Sequence, residues 1–322
     1  MTENYEVVVV GGGAAGLSAA LVLGRSRRRT LVVDAGEPRN APSAHMQGYL
    51  SRDGMSPAEF LAVGRAEIAR YGVELVEDRV VDASRDTDFT VVLAGGRTVR
   101  ARRLVIATGL RDELPRVPGL TERFGRDVLH CPYCHGWEMR DLPTGVLATS
   151  PLSVHQALMV TQWSKDVRLF LHRVDEAELT DQDLRRLAAA GVAVVPGEVA
   201  GLVITDDRLT GVRLSDGTVH DRAVLYAAPR AVPNNDLLVK LGADLHETPF
   251  GSYPVIDERG LTSVPGLWAA GNASGSTEQV VNAASRGYRA GAAINAELLM
   301  TDLDASIPKA EPLTTALDAS AR

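Results

Sequence analysis

The chain has 322 residues, enough for about two domains of roughly 150 residues each. It is 45% apolar and 23% charged, the balance of an ordinary soluble globular protein. Its net charge of −7 argues against a nucleic-acid binder, which carries a basic patch. The short basic run from Arg25 to Arg29 reads as a solvated helix end. No apolar stretch approaches the ~20 residues that span a bilayer, so no membrane partner is expected. The N-terminus has no basic stretch followed by an apolar signal core, so a cytoplasmic location is expected.

The first element is a run of β-branched residues ending at Val10, the pattern of a buried parallel strand. Gly11-Gly-Gly-Ala-Ala-Gly16 follows at once, and Leu17 to Leu23 has helical character. Thr30 to Asp34 is a second apolar strand that ends in an acid. Together these make a βαβ unit. A lone G-x-G-x-x-G means little, but this one follows a strand, opens a helix and has Asp34 at the expected distance. Gly11 permits the tight turn, Gly13 lets backbone approach a pyrophosphate, and Gly16 lets the helix pack on the sheet. Ala14 and Ala15 carry helix-start N–H groups that favour phosphate. Asp34 can accept hydrogen bonds from ribose hydroxyls. The bland alternative is a glycine-rich turn that binds nothing.

A helix is predicted near Pro57 to Tyr71, with strands at Val73–Val76 and Phe89–Leu93. Arg103 to Gly109 is another buried strand, closing on Thr108 and Gly109. Pro115, Pro118 and Gly119 punctuate a domain crossover. Just beyond lie the only two cysteines, in His130-Cys-Pro-Tyr-Cys-His-Gly-Trp-Glu138. A disulfide-stapled secreted fold would use more cysteines at wider spacing. Zinc is one rival, but it needs four converging ligands, and no second C-x-x-C or H-x-x-H completes a shell. Two inert buried thiols are another. Redox chemistry fits better, because Pro132 suits a helix start and would place Cys131 where a thiolate is favoured. His135 could take thiol protons at neutral pH, since imidazole titrates near about 6.5. The alternative is a helix-surface histidine with no role; the proton-transfer reading is preferred for His135 and the bland one for His130.

The segment beyond repeats the βαβ layout: strands at Thr144–Thr149 and Asp166–Leu171, a helix from Val154 to Trp163, and a strand at Ala223–Ala228. Pro229, Pro233, Asn234 and Asn235 mark a return crossover. Leu267 to Asn272 and a helix from about Gln279 to Leu299 close the fold. The last twenty or so residues read as a loose tail.

The glycine fingerprint, Ala107-Thr-Gly109 and Ala270-Gly-Asn272 together resemble the two-dinucleotide-domain flavoproteins of the thioredoxin reductase type. The resemblance runs from about Tyr5 to Leu299. It implies an α/β fold of two Rossmann-like, three-layer domains. The FAD-binding domain would be discontinuous, residues 1–114 and 246–322, around a second domain of residues 115–245 that carries the C-x-x-C. It implies FAD on Gly11, Gly13, Ala14, Ala15, Gly16 and Asp34, with Thr108, Gly109, Gly271 and Asn272 completing the site. Asn272 replaces the usual Asp, and its amide can still bind a hydroxyl. Gln279 and Val280 would turn backbone N–H groups toward the flavin. Cys134 would face the flavin, and Cys131 would exchange with substrate.

The second nucleotide fingerprint of those reductases is missing. Leu147 to Val154 holds no glycine, and Pro151 lacks an N–H. Only Arg173 remains where a 2′-phosphate would be held, and Asp175 and Glu176 follow it. Electrons would then enter another way, most simply in reverse, from a dithiol to Cys131–Cys134 and on to FAD. Cys131 to Glu138, and Asp34 to His45, narrow the resemblance to the FAD-dependent dithiol oxidases of disulfide natural products such as gliotoxin and holomycin. The holomycin-type bacterial enzymes stand closer. That resemblance implies a homodimer, a small-molecule dithiol substrate and O2 as acceptor, and it places Arg39, Asn40 and His45 near FAD. The alternatives are a reductase fed by a donor such as ferredoxin and a flavin redox sensor without turnover.

Overall fold

A computed structural model describes residues 3–307. The tail expected at the C-terminus lies outside the described residues, apart from the end of the last helix. Glu3–Val10 is buried on both faces from Val7 to Val10, because helices cover one side and an antiparallel meander the other. Val7 and Val9 pack with the helices; Val8 and Val10 pack with Phe89, Val91 and Leu93. Each fully buried valine or leucine contributes about 1.5–3 kcal/mol, so a polar residue in this strand would be costly.

The first sheet runs Glu74–Glu77, Thr30–Asp34, Glu3–Val10, Thr98–Ile106, Phe89–Leu93, Val80–Arg85. The first four strands are parallel and the last two antiparallel. Leu267–Ala269 joins as a parallel strand on the far half of Thr98–Ile106, so the C-terminal segment returns to the first sheet. The strand Val80–Arg85 was not anticipated, because its polar residues Asp82 and Arg85 break the apolar run.

The second sheet is wholly parallel, in the order Ala193–Val195, Val167–Phe170, Thr144–Leu147, Val224–Ala227, Val128–Leu129. A three-stranded antiparallel sheet, Val199–Thr205, Arg208–Leu214 and Val219–Asp221, packs beside it and was also not anticipated. The outgoing and returning crossovers pair as strands, Leu110–Glu113 against Arg230–Pro233, with Leu110 opposite Pro233.

The helix Val280–Ser306 extends beyond the predicted end at Leu299. It lies on the helix Ala14–Arg25, and a Cβ at Gly287 would sit 1.9 Å from the Ala15 carbonyl oxygen. Only hydrogen at Gly287 allows that approach. The contact sets the start of the last helix, at Gln279, in fixed relation to the glycine turn. Among the described residues no helix is long and apolar enough to cross a membrane.

Candidate active site

The glycine turn is built by close backbone packing. Gly11 has φ +107°, and a Cβ there would lie 2.3 Å from the Ala107 carbonyl oxygen. A Cβ at Gly16 would lie 1.9 Å from the Gly11 carbonyl oxygen. Gly13 is the N-cap of Ala14–Arg25 and offers no side chain to the first-turn N–H groups, while the space above it is open. Those uncapped donors at a helix start are what a pyrophosphate needs. Buried Gly271 packs on Ala15, which brings the Ala270-Gly-Asn272 segment to the same turn. The Asn272 side-chain amide donates to the Gly275 carbonyl at 3.0 Å.

Asp34 sits beside the turn as expected, but with partners of its own. The Gly12 N–H donates to Oδ1 at 3.1 Å, and Arg65 donates to Oδ2 at 2.8 Å. A carboxylate has about four acceptor positions, so ribose hydroxyls can still bind. Uncapped donors, open space at Gly13 and this acid fit an FAD dinucleotide. Thr108 and Gly109 meet the return crossover: the Thr108 hydroxyl donates to the Asn234 carbonyl at 2.7 Å, and the Asn234 side-chain amide donates back to the Thr108 carbonyl at 2.9 Å.

The redox pair meets the start of the last helix, which is packed beside this turn. Pro132–His135 is one short helical turn with Pro132 at its first position and Cys131 as N-cap. Cys131 and Cys134 form a disulfide, their Cα atoms 5.3 Å apart. Both are half-buried, so exposure does not distinguish their roles. The Gln279 side chain reaches this disulfide, with Oε1 3.4 Å from Cys134 Sγ and Nε2 3.6 Å from Cys131 Sγ. Val280 begins the helix behind it.

His135 Nε2 lies 3.3 Å from the Ser43 hydroxyl, whose proton goes to the His45 carbonyl at 2.7 Å. His135 Nδ1 is buried without a hydrogen-bond partner. Burial pushes the imidazole below its usual pKa, and nearby Glu138 offsets this only in part. His130 is also pushed down, first by burial and then by the Arg39 cation. Arg39 does not stand free. Its guanidinium forks onto Asp112 through two bonds of 2.8 Å. The Asn40 carbonyl accepts from the Ser43 N–H in a local turn. His45 is exposed with Nδ1 3.1 Å from the Gly54 carbonyl, and no described side chain of the redox pair meets its ring. Among the described residues no three His, Cys, Asp or Glu side chains converge as a metal shell would need.

In the second domain the turn that would hold a nicotinamide nucleotide is closed on itself. The Thr149 N–H donates to the buried Ser153 hydroxyl at 3.1 Å, and Pro151 has no N–H to give. Arg173 is turned onto Glu198 at 2.9 Å.

Ser43, Arg65, Asn234 and the side chain of Gln279 were not among the predicted site residues. Their contacts span 31 to 148 positions and leave no local spacing to read.

A family model of the pyridine nucleotide-disulphide oxidoreductases matches residues 5–287. Thioredoxin reductase sirT of Leptosphaeria maculans is 32% identical over 94% of this chain and 96% of that protein. The crystal structure of HlmI superposes with a TM-score of 0.90 at 49% identity, covering 95% of this chain and 96% of that one. An oxidoreductase from Agrobacterium tumefaciens superposes with a TM-score of 0.87 at 38% identity, covering 93% and 99%. With the paired-domain fold, the glycine turn and the Cys131–Cys134 disulfide in place, the chain belongs to the pyridine nucleotide-disulphide oxidoreductase family.

Proposed function

We propose that the protein oxidises a small-molecule dithiol to an intramolecular disulfide, using Cys131–Cys134 as oxidant, FAD behind it and O2 as final acceptor. One observation carries this reading. The Cys131–Cys134 disulfide faces the start of the helix docked on the open glycine turn, while the second domain's nucleotide turn is closed by Ser153. The division into residues 1–114 and 246–322, around 115–245, is part of the proposal, and the paired crossover strands support it.

A substrate thiolate attacks Cys131 Sγ. The Cys131–Cys134 bond breaks, a substrate–Cys131 bond forms, and Cys134 leaves as thiolate. The second substrate thiolate then attacks the first substrate sulfur and expels Cys131. The substrate has lost two electrons and two protons, and the cysteine pair has gained the electrons. FAD, when bound, would supply the two-electron acceptor that returns the cysteine pair to the disulfide. Gly11, Gly13, Ala14, Ala15 and Gly16 would hold its pyrophosphate and Asp34 its ribose; Arg39, Asn40, His45, Thr108, Gly109, Gly271, Asn272, Gln279 and Val280 would complete the site. His135, kept neutral by burial, receives a thiol proton.

The exposed apolar side chains Val281, Tyr288, Leu299 and Leu303 lie along one face of the last helix, and a second copy of the chain would cover them. A cytoplasmic location agrees with the single C-x-x-C.

The reading is tested with an oxygen electrode, a small dithiol that closes to a cyclic disulfide, and a parallel peroxide assay. Disulfide, oxygen consumed and H2O2 formed should be equimolar. Disulfide formed at the same rate without oxygen uptake would assign another acceptor.

The role of His135 is read from pH. A depressed pKa means the imidazole is neutral, and able to accept a proton, at every pH above a value below about 6.5. That capacity is lost as pH falls through the depressed value. His135→Asn should therefore slow dithiol oxidation about 100-fold at neutral pH. The ratio of native to variant rates should fall as the medium is acidified below that pKa. The ratio cancels the ionisation of the substrate. A ratio independent of pH would leave His135 without a proton-transfer role.

A further inference from the structure

We infer that the side-chain amide of Gln279 makes the two cysteines chemically unequal, favouring thiolate at Cys131 and leaving Cys134 the stronger nucleophile. The inference rests on the dithiol-oxidase reading and deepens it. Gln279 comes from the far end of the chain, yet its Nε2 is 3.6 Å from Cys131 Sγ and its Oε1 3.4 Å from Cys134 Sγ.

A disulfide sulfur carries no proton. Oε1 therefore faces Cys134 with nothing to accept, and Nε2 donates only to a weak acceptor. Once the pair is reduced, both ends of the amide find better partners. A thiolate at Cys131 accepts a charge-assisted bond from Nε2, and a thiol at Cys134 donates to Oε1. The amide thus stabilises the reduced pair in one arrangement of charge.

That arrangement suits the sequence of exchanges. Cys131 is the leaving group when the substrate disulfide closes, and a thiol of lower pKa leaves faster. Cys134, beside a carbonyl oxygen, gains no support as thiolate, and a thiolate of higher pKa is intrinsically more nucleophilic. The site thereby separates a good leaving group from a good nucleophile within one C-x-x-C.

The backbone that carries the amide is fixed, while the side chain itself is exposed and meets only the two sulfurs. Gln279 is the N-cap of the helix that the Gly287 contact locks onto Ala14–Arg25, and its side chain makes no cap bond of its own. Other charged or titratable groups near the pair are His135 with Glu138, His130 behind Arg39 and Asp112, and Glu278, which pairs with Arg286 at 2.7 Å. Among the described residues, none of these hydrogen-bonds either sulfur.

The test is alkylation of the reduced, desalted holoenzyme by iodoacetamide across pH under nitrogen, with labelled peptides mapped by mass spectrometry. It compares the native protein with Gln279→Met, similar in size but without donor or acceptor, and Gln279→Glu, which adds a negative charge. In Gln279→Met the alkylation midpoint of Cys131 should rise by about one pH unit. Its thiol–disulfide equilibrium against a dithiothreitol buffer should move about tenfold toward disulfide. Gln279→Glu should raise the midpoint further. Melting temperature should match the native protein in both variants, since no cap bond is removed, and each midpoint is read on the flavin-loaded fraction. A Cys131 midpoint unchanged in Gln279→Met, or a shift confined to Cys134, would overturn the inference. A native protein that forms no disulfide from dithiols would instead overturn the proposed function, and the alkylation midpoints would still report on Gln279.

Discussion

Serine at Cys134 is expected to reduce disulfide formation to the rate of the uncatalysed thiol reaction and to stop dithiols from bleaching the flavin. The Cys131–Cys134 bond is the oxidant, and among the described residues there is no other cysteine to replace it. Cys131→Ser should abolish turnover as completely, because the two residues act as one unit and their losses do not add. The variants differ in what they trap. Cys134→Ser retains Cys131, the sulfur assigned to exchange with substrate, and has no neighbour to resolve a mixed disulfide. Incubated with a small-molecule disulfide, it should gain one adduct by mass spectrometry. Cys131→Ser should gain less even though Cys134 is the stronger nucleophile, since FAD, when bound, would cover the sulfur of Cys134. An adduct on Cys131→Ser alone would reverse the two roles. Neither change should unfold the protein. The pair closes a loop of only a few residues, and so short a cross-link removes little entropy from the unfolded chain. Melting temperatures within a few degrees of the native protein would separate lost chemistry from lost structure.

Neither NADPH nor NADH should bleach the flavin of the native protein under anaerobic conditions, whereas excess dithiol should bleach it fully. The family takes its name from a pyridine nucleotide, so this is a departure with a physical cause. A nucleotide-binding turn needs backbone N–H groups aimed outward, and here the Thr149 N–H is taken by Ser153 while Pro151 supplies none. Leu152, the residue before the helix Ser153–Val160, has helical backbone angles and is 60% exposed, so a side chain stands where phosphate would need bare backbone. Arg173, the one cation that could meet a 2′-phosphate, is committed to Glu198. The parallel strands behind the turn are intact, so the scaffold keeps its shape while the turn offers a phosphate no free N–H from Thr149 or Pro151. Stopped-flow absorbance is the measurement. Rapid bleaching by NADPH would show that the turn can open, and would restore an ordinary reductase direction of electron flow.

Much of this was legible before any coordinates. The apolar strand, the glycine turn and Asp34 lie within about thirty residues, and their demands are local: a positive φ at Gly11, hydrogen at Gly16, an acid at the end of the next strand. Pro132 starting a turn with a cysteine on either side is equally local. The absence of glycine between Leu147 and Val154, Pro151 within that stretch and the lone Arg173 beyond it are facts of composition, and together they pointed to a second site without its nucleotide. The meander Val199–Asp221 escaped because Gly201, Gly211 and the polar residues between them blur the alternation that marks a strand. Side-chain partnerships across the chain escaped altogether. Arg65 reaches Asp34, Ser43 reaches His135 and Gln279 reaches both sulfurs, because two domains and a long helix are docked at particular angles. Local spacing determines how backbone can approach backbone within a turn. Which distant side chain then meets a sulfur or an imidazole is decided by packing such as Gly287 on Ala15, and only the tertiary structure holds that information.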